Sequence, residues 1–439
     1  MYDAIIIGAR CAGSPTAMLL ARLGYRVLLA DRVTFPSDTF RSHALIPQAM
    51  SRLKRWGLLD EVIATGCAPI RDITMDMGDF PLKGNFPVFE GMTEAYAPRR
   101  KYLDHLLARG AVAAGAELRE GFNVEELLWD AGQVVGIRAQ SQGRTRVTEH
   151  ARIVIGADGL HSILARGVAA PTYHEVPTLT WVYYSYWSDV PMTGVEFYRL
   201  DDAGMLGFPT NDGLSCVGTF GPLEGFTAFR ADIEGNFKRT LARFPALTER
   251  VASGRRAERW LGTADLPGLF RKPYGPGWAL VGDAGYHKDP VTATGISDAF
   301  RDAEFLVEAL DAGFSGRQPL QEALATYEQR RNEVALPLYE MTCQTATFGP
   351  APAPTCWRCA RPYGEIRPTP TIFLAPCSRR HRRPSSSRPR ISRGSWARSS
   401  GKSSSIVSKA TSHVMSARRS LLPPRAPVLR LSPDRAHLV

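Results

Sequence analysis

The chain has 439 residues, 44% of them hydrophobic and 22% charged, the balance of a globular protein with room for more than one core. Its formal net charge of +11 is concentrated at one end: Gly349 to Val439 holds 18 Lys and Arg against two acids, Glu365 and Asp434, leaving 36 basic and 41 acidic residues before it. The body of the chain is therefore not read as a nucleic-acid binder. No apolar run reaches the roughly 20 residues of a membrane helix, and no leader pattern surrounds Met1-Tyr2-Asp3, so a cytoplasmic protein without a membrane span is expected. Seven scattered cysteines predict free thiols, and the lone Cys356-x-x-Cys359 lacks the second pair a zinc site needs, so no metal is expected.

In chain order, Asp3 to Gly8 is a β-branched apolar run that reads as a strand buried on both faces of a parallel sheet. A helix is predicted over Ser14–Leu23 and stopped by Gly24, and Arg26–Asp31 is a second apolar strand ending in an acid. The joint is Gly8-Ala9-Arg10-Cys11-Ala12-Gly13, a G-x-G-x-x-G whose middle glycine is Arg10. Gly8 permits the tight turn, Gly13 the close packing of helix on strand, and the helix N-terminus offers unpaired N–H groups to a pyrophosphate. Arg10 is expected to swing aside or to touch a phosphate itself. Asp31 is placed to accept from a ribose. Taken alone, the segment is either a nucleotide site or a structural glycine turn.

Further on, Arg99-Arg100-Lys101-Tyr102-Leu103-Asp104 precedes an amphipathic helix, and Arg100 is either a neutraliser of pyrophosphate charge or a surface arginine. Ile153 to Gly156 leads into Asp158-Gly159. From Thr178 to about Phe220 short β-rich pieces replace the βα alternation, with a turn at Asn211-Asp212-Gly213, and predict an antiparallel sheet whose aromatics either line a pocket or fill a core. Ala279 to Val281 is a buried strand delivering Gly282-Asp283, and a helix opens at about Gly295 with Ala299, Phe300, Ala303, Leu306 and Leu310 facing a core. After Phe348 the text turns abruptly to Arg, Ser and Pro. It fits a disordered basic arm, a folded extension, or an out-of-frame product of GC-rich coding sequence.

Taken together, the Gly8–Gly13, Asp158-Gly159 and Gly282-Asp283 segments resemble the FAD-dependent monooxygenases of the para-hydroxybenzoate hydroxylase type, with their relatives the geranylgeranyl reductases and flavin-dependent halogenases. The resemblance covers residues 1 to about 345. It implies an α/β fold: an FAD-binding Rossmann-like domain with a parallel sheet (1–170 and 265–345), a β-rich antiparallel substrate domain (171–264), and a basic tail (349–439), disordered or out of frame. It implies FAD held by Gly8, Arg10, Gly13, Asp31, Arg41, Arg100, Asp158, Gly159, Gly282, Asp283, Pro290, Gly295 and Ile296, with Asp283 on the ribityl chain. The chemistry it implies is a monooxygenase's: NAD(P)H as reductant, molecular oxygen as co-substrate, and hydroxylation of a small aromatic or polycyclic molecule. The polar candidates near the ring are His43, His287 and Lys288; His287 is either a catalytic group or a structural one. Leu206, in Met205-Leu206-Gly207-Phe208-Pro209, stands where halogenases and prenyl reductases carry Trp, which disfavours halogenation and weakens prenyl reduction. The rival readings are a flavin-dependent reductase of prenyl lipids and a non-enzymatic nucleotide- or nucleic-acid-binding protein.

Overall fold

The computed structural model describes residues 1–39, 43–77, 81–141, 143 and 145–349. All of these lie in one compact unit, Met1–Arg379. The tail and Arg41 lie outside the described residues.

The apolar N-terminal run forms the strand Tyr2–Ile7 at the centre of a sheet, parallel to Val27–Ala30 on one side and to Arg146–Gly156 on the other. Trp278–Leu280 adds a further parallel strand beyond Gly156, and Glu117–Arg119 closes the far edge. Ile5, Ile6, Leu28, Leu29, Val154 and Ile155 are wholly buried, because helices cover one face and the hairpin Asn123–Asp130/Gln133–Gln140 the other. The first helix runs Gly13–Arg22, with Gly24 in the left-handed region (φ +87°) where the chain turns back. The helix Gly295–Phe314 begins where its apolar periodicity predicts and packs on the first helix and on Leu320–Ala346.

A second, mainly antiparallel sheet carries Thr180–Ser188, Ser215–Pro222, Gly204–Pro209 and Val195–Arg199 as neighbours. Asp212 and Gly213 both have positive φ (+64° and +67°) in the turn between its two central strands. The sheet extends beyond the range expected from sequence: Asp72–Asp76 pairs parallel with Val195–Arg199, and Pro81–Asn85 pairs with it in turn. Both strands are short and partly exposed: Asp72–Asp76 alternates only Ile73 and Met75 with polar residues, and Pro81–Asn85 shows no alternation. Aromatic residues divide between two uses. Trp181, Tyr183 and Trp187 pack under three short helices with Phe229 and Phe237, whereas Tyr184, Leu206 and Phe208 face the other way.

Candidate functional site

The three glycine-bearing loops meet at the C-terminal ends of the parallel strands. A Cβ on Gly8 would lie 2.6 Å from the Ala157 carbonyl oxygen, and one on Gly13 only 1.8 Å from that of Gly8. A Cβ on Gly282 would press on Ala12 at 2.7 Å. The first loop therefore packs directly on the Asp158-Gly159 loop on one side and on the Gly282-Asp283 turn on the other. At Gly159 (φ +83°) and Gly295 the space is open.

No side chain caps the helix Gly13–Arg22 and its first turn holds no acid, so its N-terminal dipole is left for an external anion. Around it the expected cations converge on a residue that the sequence reading passed over. Asp104 is fully buried and bonds Arg10 at 2.5 Å, Arg100 at 2.8 Å and the Cys11 thiol at 3.5 Å. The Arg10 guanidinium also lies over the Phe35 ring. Burial alone would lower the Arg100 guanidinium, but the charge of Asp104 outweighs it and holds it well above its usual range, with Asp283 adding to the effect. Two guanidiniums thus share the one carboxylate of Asp104 beside the loop. Asp104 stands four residues beyond Arg100 on one helix, a spacing that could have identified it.

Asp31 is buried, and its two oxygens accept from the Ala9 N–H (2.7 Å) and the Val33 N–H (3.1 Å). It thereby fixes the glycine loop. Asp158 accepts from the Ile163 N–H at 2.7 Å; its other oxygen is buried without a partner, and burial raises its pKa above the usual carboxylate range. Ser14 and Ser297, in the first turns of two uncapped helices, likewise bury hydroxyls without partners.

Arg271, half-buried, joins two of the loops: its guanidinium donates to the carbonyls of Leu160 (3.0 Å) and Ala284 (2.9 Å). The buried Arg331 donates to the Gly285 and Arg271 carbonyls. Neither role was legible in the sequence, because each of these carbonyls is at least 13 residues away.

Asp283, His287, Pro290, Gly295 and Lys288 line one face of a cavity of about 240 Å³, with Leu160 and His161 at one side. Val182, Tyr184, Leu206, Phe208 and Phe220 of the antiparallel sheet, together with His43, line the opposite face. Ile296, also buried, opens the helix beside them. His287 gives its Nδ1 to the Pro267 carbonyl at 2.6 Å, which fixes its ring. Lys288 is bonded to Asp298 and Tyr286, and Asp298 also pairs with Arg301 at 2.8 Å. His43 is buried against the Tyr186 hydroxyl at 2.6 Å; burial, with the charge of Arg100 behind it, lowers its pKa to about 3. Among the described residues no cluster of His, Cys, Asp or Glu is arranged for a metal ion, and no helix is long and apolar enough to cross a membrane.

Residues 1–227 match the model of the FAD binding domain family. The digeranylgeranylglycerophospholipid reductase of Methanosarcina acetivorans is 28% identical over 344 residues, covering 76% of this chain and 81% of that protein. The reductase 2 of Methanopyrus kandleri is 28% identical over 309 residues, covering 67% and 73%. Among solved structures, the myxobacterial chondrochloren halogenase CndH superposes with a TM-score of 0.72 at 24% identity, covering 77% of this chain and 81% of that one. PqsL of Pseudomonas aeruginosa, described as a probable FAD-dependent monooxygenase, superposes with 0.68 at 20%, covering 79% and 95%. At these identities the structural likenesses establish the fold.

Proposed function

The chain belongs to the FAD binding domain family and is an FAD-dependent oxidoreductase, and from that premise we propose that it is an NAD(P)H- and oxygen-dependent monooxygenase of a small organic substrate. The residues present fit the cofactor. An uncapped helix N-terminus flanked by the guanidiniums of Arg10 and Arg100 suits a pyrophosphate, and the orphaned hydroxyl of Ser14 lies in the same turn. Asp31 would take the adenosine ribose and Asp283 the ribityl chain. The N-terminus of Gly295–Phe314, bearing Ile296 and the unpartnered Ser297 hydroxyl, suits negative charge on the reduced ring.

When bound, FAD supplies the redox chemistry: two electrons accepted from NAD(P)H, and oxygen activated for transfer. The chain's own work is to bind, to orient and to keep water out. His43 is neutral at neutral pH and holds the Tyr186 hydroxyl, so it orients the sheet wall rather than shuttling protons. Val182, Phe208 and Phe220 exclude water from the cavity. His287, anchored on Pro267, orients the turn below.

The observation that carries the choice of reaction is Leu206, which lines the cavity at the position where halogenase and prenyl-reductase signatures place Trp. The test is oxygen uptake by FAD-loaded protein with NADH or NADPH, with and without candidate phenols and polycyclic aromatics. Substrate-dependent uptake yielding a product that carries one ¹⁸O atom from ¹⁸O₂ supports the proposal; NAD(P)H oxidation coupled to alkene reduction without oxygen refutes it. That second outcome has its own support, the 28% identity to prenyl-lipid reductases.

A further inference from the structure

We propose that the cavity accepts a ligand whose buried part carries no formal charge: a compact aromatic or aliphatic body with neutral hydroxyl or carbonyl groups, and no carboxylate, phosphate or ammonium. The inference deepens the preceding reading and rests on it, because it takes the loop side of the cavity as the flavin's and the sheet side as the ligand's.

None of the residues that the antiparallel sheet contributes to the cavity is an acid, a lysine or an arginine. The titratable groups on that side are uncharged at neutral pH, each chiefly through burial: His43 is lowered to about 3, and the Tyr184 hydroxyl and Cys216 thiol are pushed far up. Tyr184 is hydrogen-bonded with Tyr186, which in turn meets His43, so these polar atoms satisfy one another with neutral bonds.

Charge lies on the loop side and at the rim of the sheet, and most of it is partnered: Asp265, just beyond the strand residue Thr263, pairs with His161 at 2.7 Å. Lys288 is taken by Asp298 and Tyr286, and Asp298 also by Arg301. Asp289 accepts from the Thr180 hydroxyl (2.5 Å) and the Val291 N–H (2.9 Å). In all, the cavity lining presents Asp265, Asp283, Asp289, Asp298 and Asp302 against a single ammonium. A ligand carboxylate would lose its water, gain no counter-ion and face five acids; a ligand ammonium against the sheet would meet no carboxylate of its strands, and the two carboxylates beside them, Asp265 and Asp289, are taken by His161 and by the Thr180 hydroxyl. The volume, about 240 Å³, lies below the ~300–1,000 Å³ of pockets for drug-sized ligands and on this reading is shared with the flavin on the loop side, which leaves room for a compact body only.

The test uses FAD-loaded protein without reductant and three ligands on one ring system: 2-naphthol, 2-naphthoate and 2-naphthylmethylammonium, followed by tryptophan fluorescence and by the flavin band. At pH 7.5 the naphthol is expected to bind at least tenfold more tightly than either ion. Lowering the pH to 5.5 should leave the naphthol unchanged and strengthen the acid more than tenfold as its neutral form grows. Val182→Arg, checked for folding and FAD uptake, should strengthen naphthoate at least tenfold. Equal or tighter binding of either ion to the wild type, or no detectable binding of the naphthol, overturns the proposal. Failure of the protein to take up FAD would instead overturn the flavoprotein reading, which the flavin band reports separately.

Discussion

Asp104 holds Arg10 and Arg100 beside the first glycine loop, and in the sequence only its spacing of four from Arg100 marks it. Removing it leaves Arg100 buried without its counter-charge, so Asp104→Ala is expected to cost about 3–5 kcal/mol in urea unfolding. An unchanged unfolding midpoint would show that the cations rest on other partners. Arg271 is a positioning residue: Arg271→Met frees the Leu160 and Ala284 carbonyls and should weaken FAD binding about tenfold, with Arg271→Lys recovering part of it. Equal FAD affinity in wild type and Arg271→Met would remove it from the site. His43 sets a pH limit. Its folded pKa lies near 3, below the ordinary 6.5, so the ring is neutral in both states above pH 6.5 and no stability is lost there. Below 6.5 the unfolded chain takes a proton that the folded chain refuses, removing about 2 kcal/mol by pH 5. Urea midpoints at pH 7 and 5 should show His43→Gln losing less than wild type; identical losses would contradict the assignment. Glycines and charges of the three loops were legible because each sits at the end of an apolar run. Arg271 and the Lys288–Asp298 pair were not, because burial and long-range contact give them their meaning.

At the scale of elements, the first strand, helix and second strand announce themselves through local periodicity, and the helix over Gly295–Phe314 starts where its apolar spacing places it. The strands Asp72–Asp76 and Pro81–Asn85 do not, since their pairing with the distant Val195–Arg199 depends on tertiary contact. The junction between strand and helix is the least tolerant place. A methyl on Gly13 would meet the Gly8 carbonyl at 1.8 Å, backbone against backbone, so the loop must shift. Gly13→Ala should therefore cost about 1–3 kcal/mol by overpacking and reduce FAD uptake more than stability alone explains. Wild-type FAD affinity in that variant would show that the loop is not the cofactor's.

Across the whole molecule, two sheets face each other over one cavity, the parallel one carrying charged loops and the antiparallel one an uncharged wall. The division was readable in outline as a change from βα alternation to short aromatic strands. Its consequence for chemistry was not, since which aromatics turn to the cavity and which to the core depends on the helices packed behind Trp181 and Trp187. The most direct test is the absorption spectrum of purified protein, fresh and after reconstitution with FAD and desalting. A flavin band at close to one FAD per chain, lost or sharply weakened in Gly13→Ala but retained in the cavity variant Val182→Arg, is the expected result; folded wild-type protein that stays colourless after reconstitution would contradict the account.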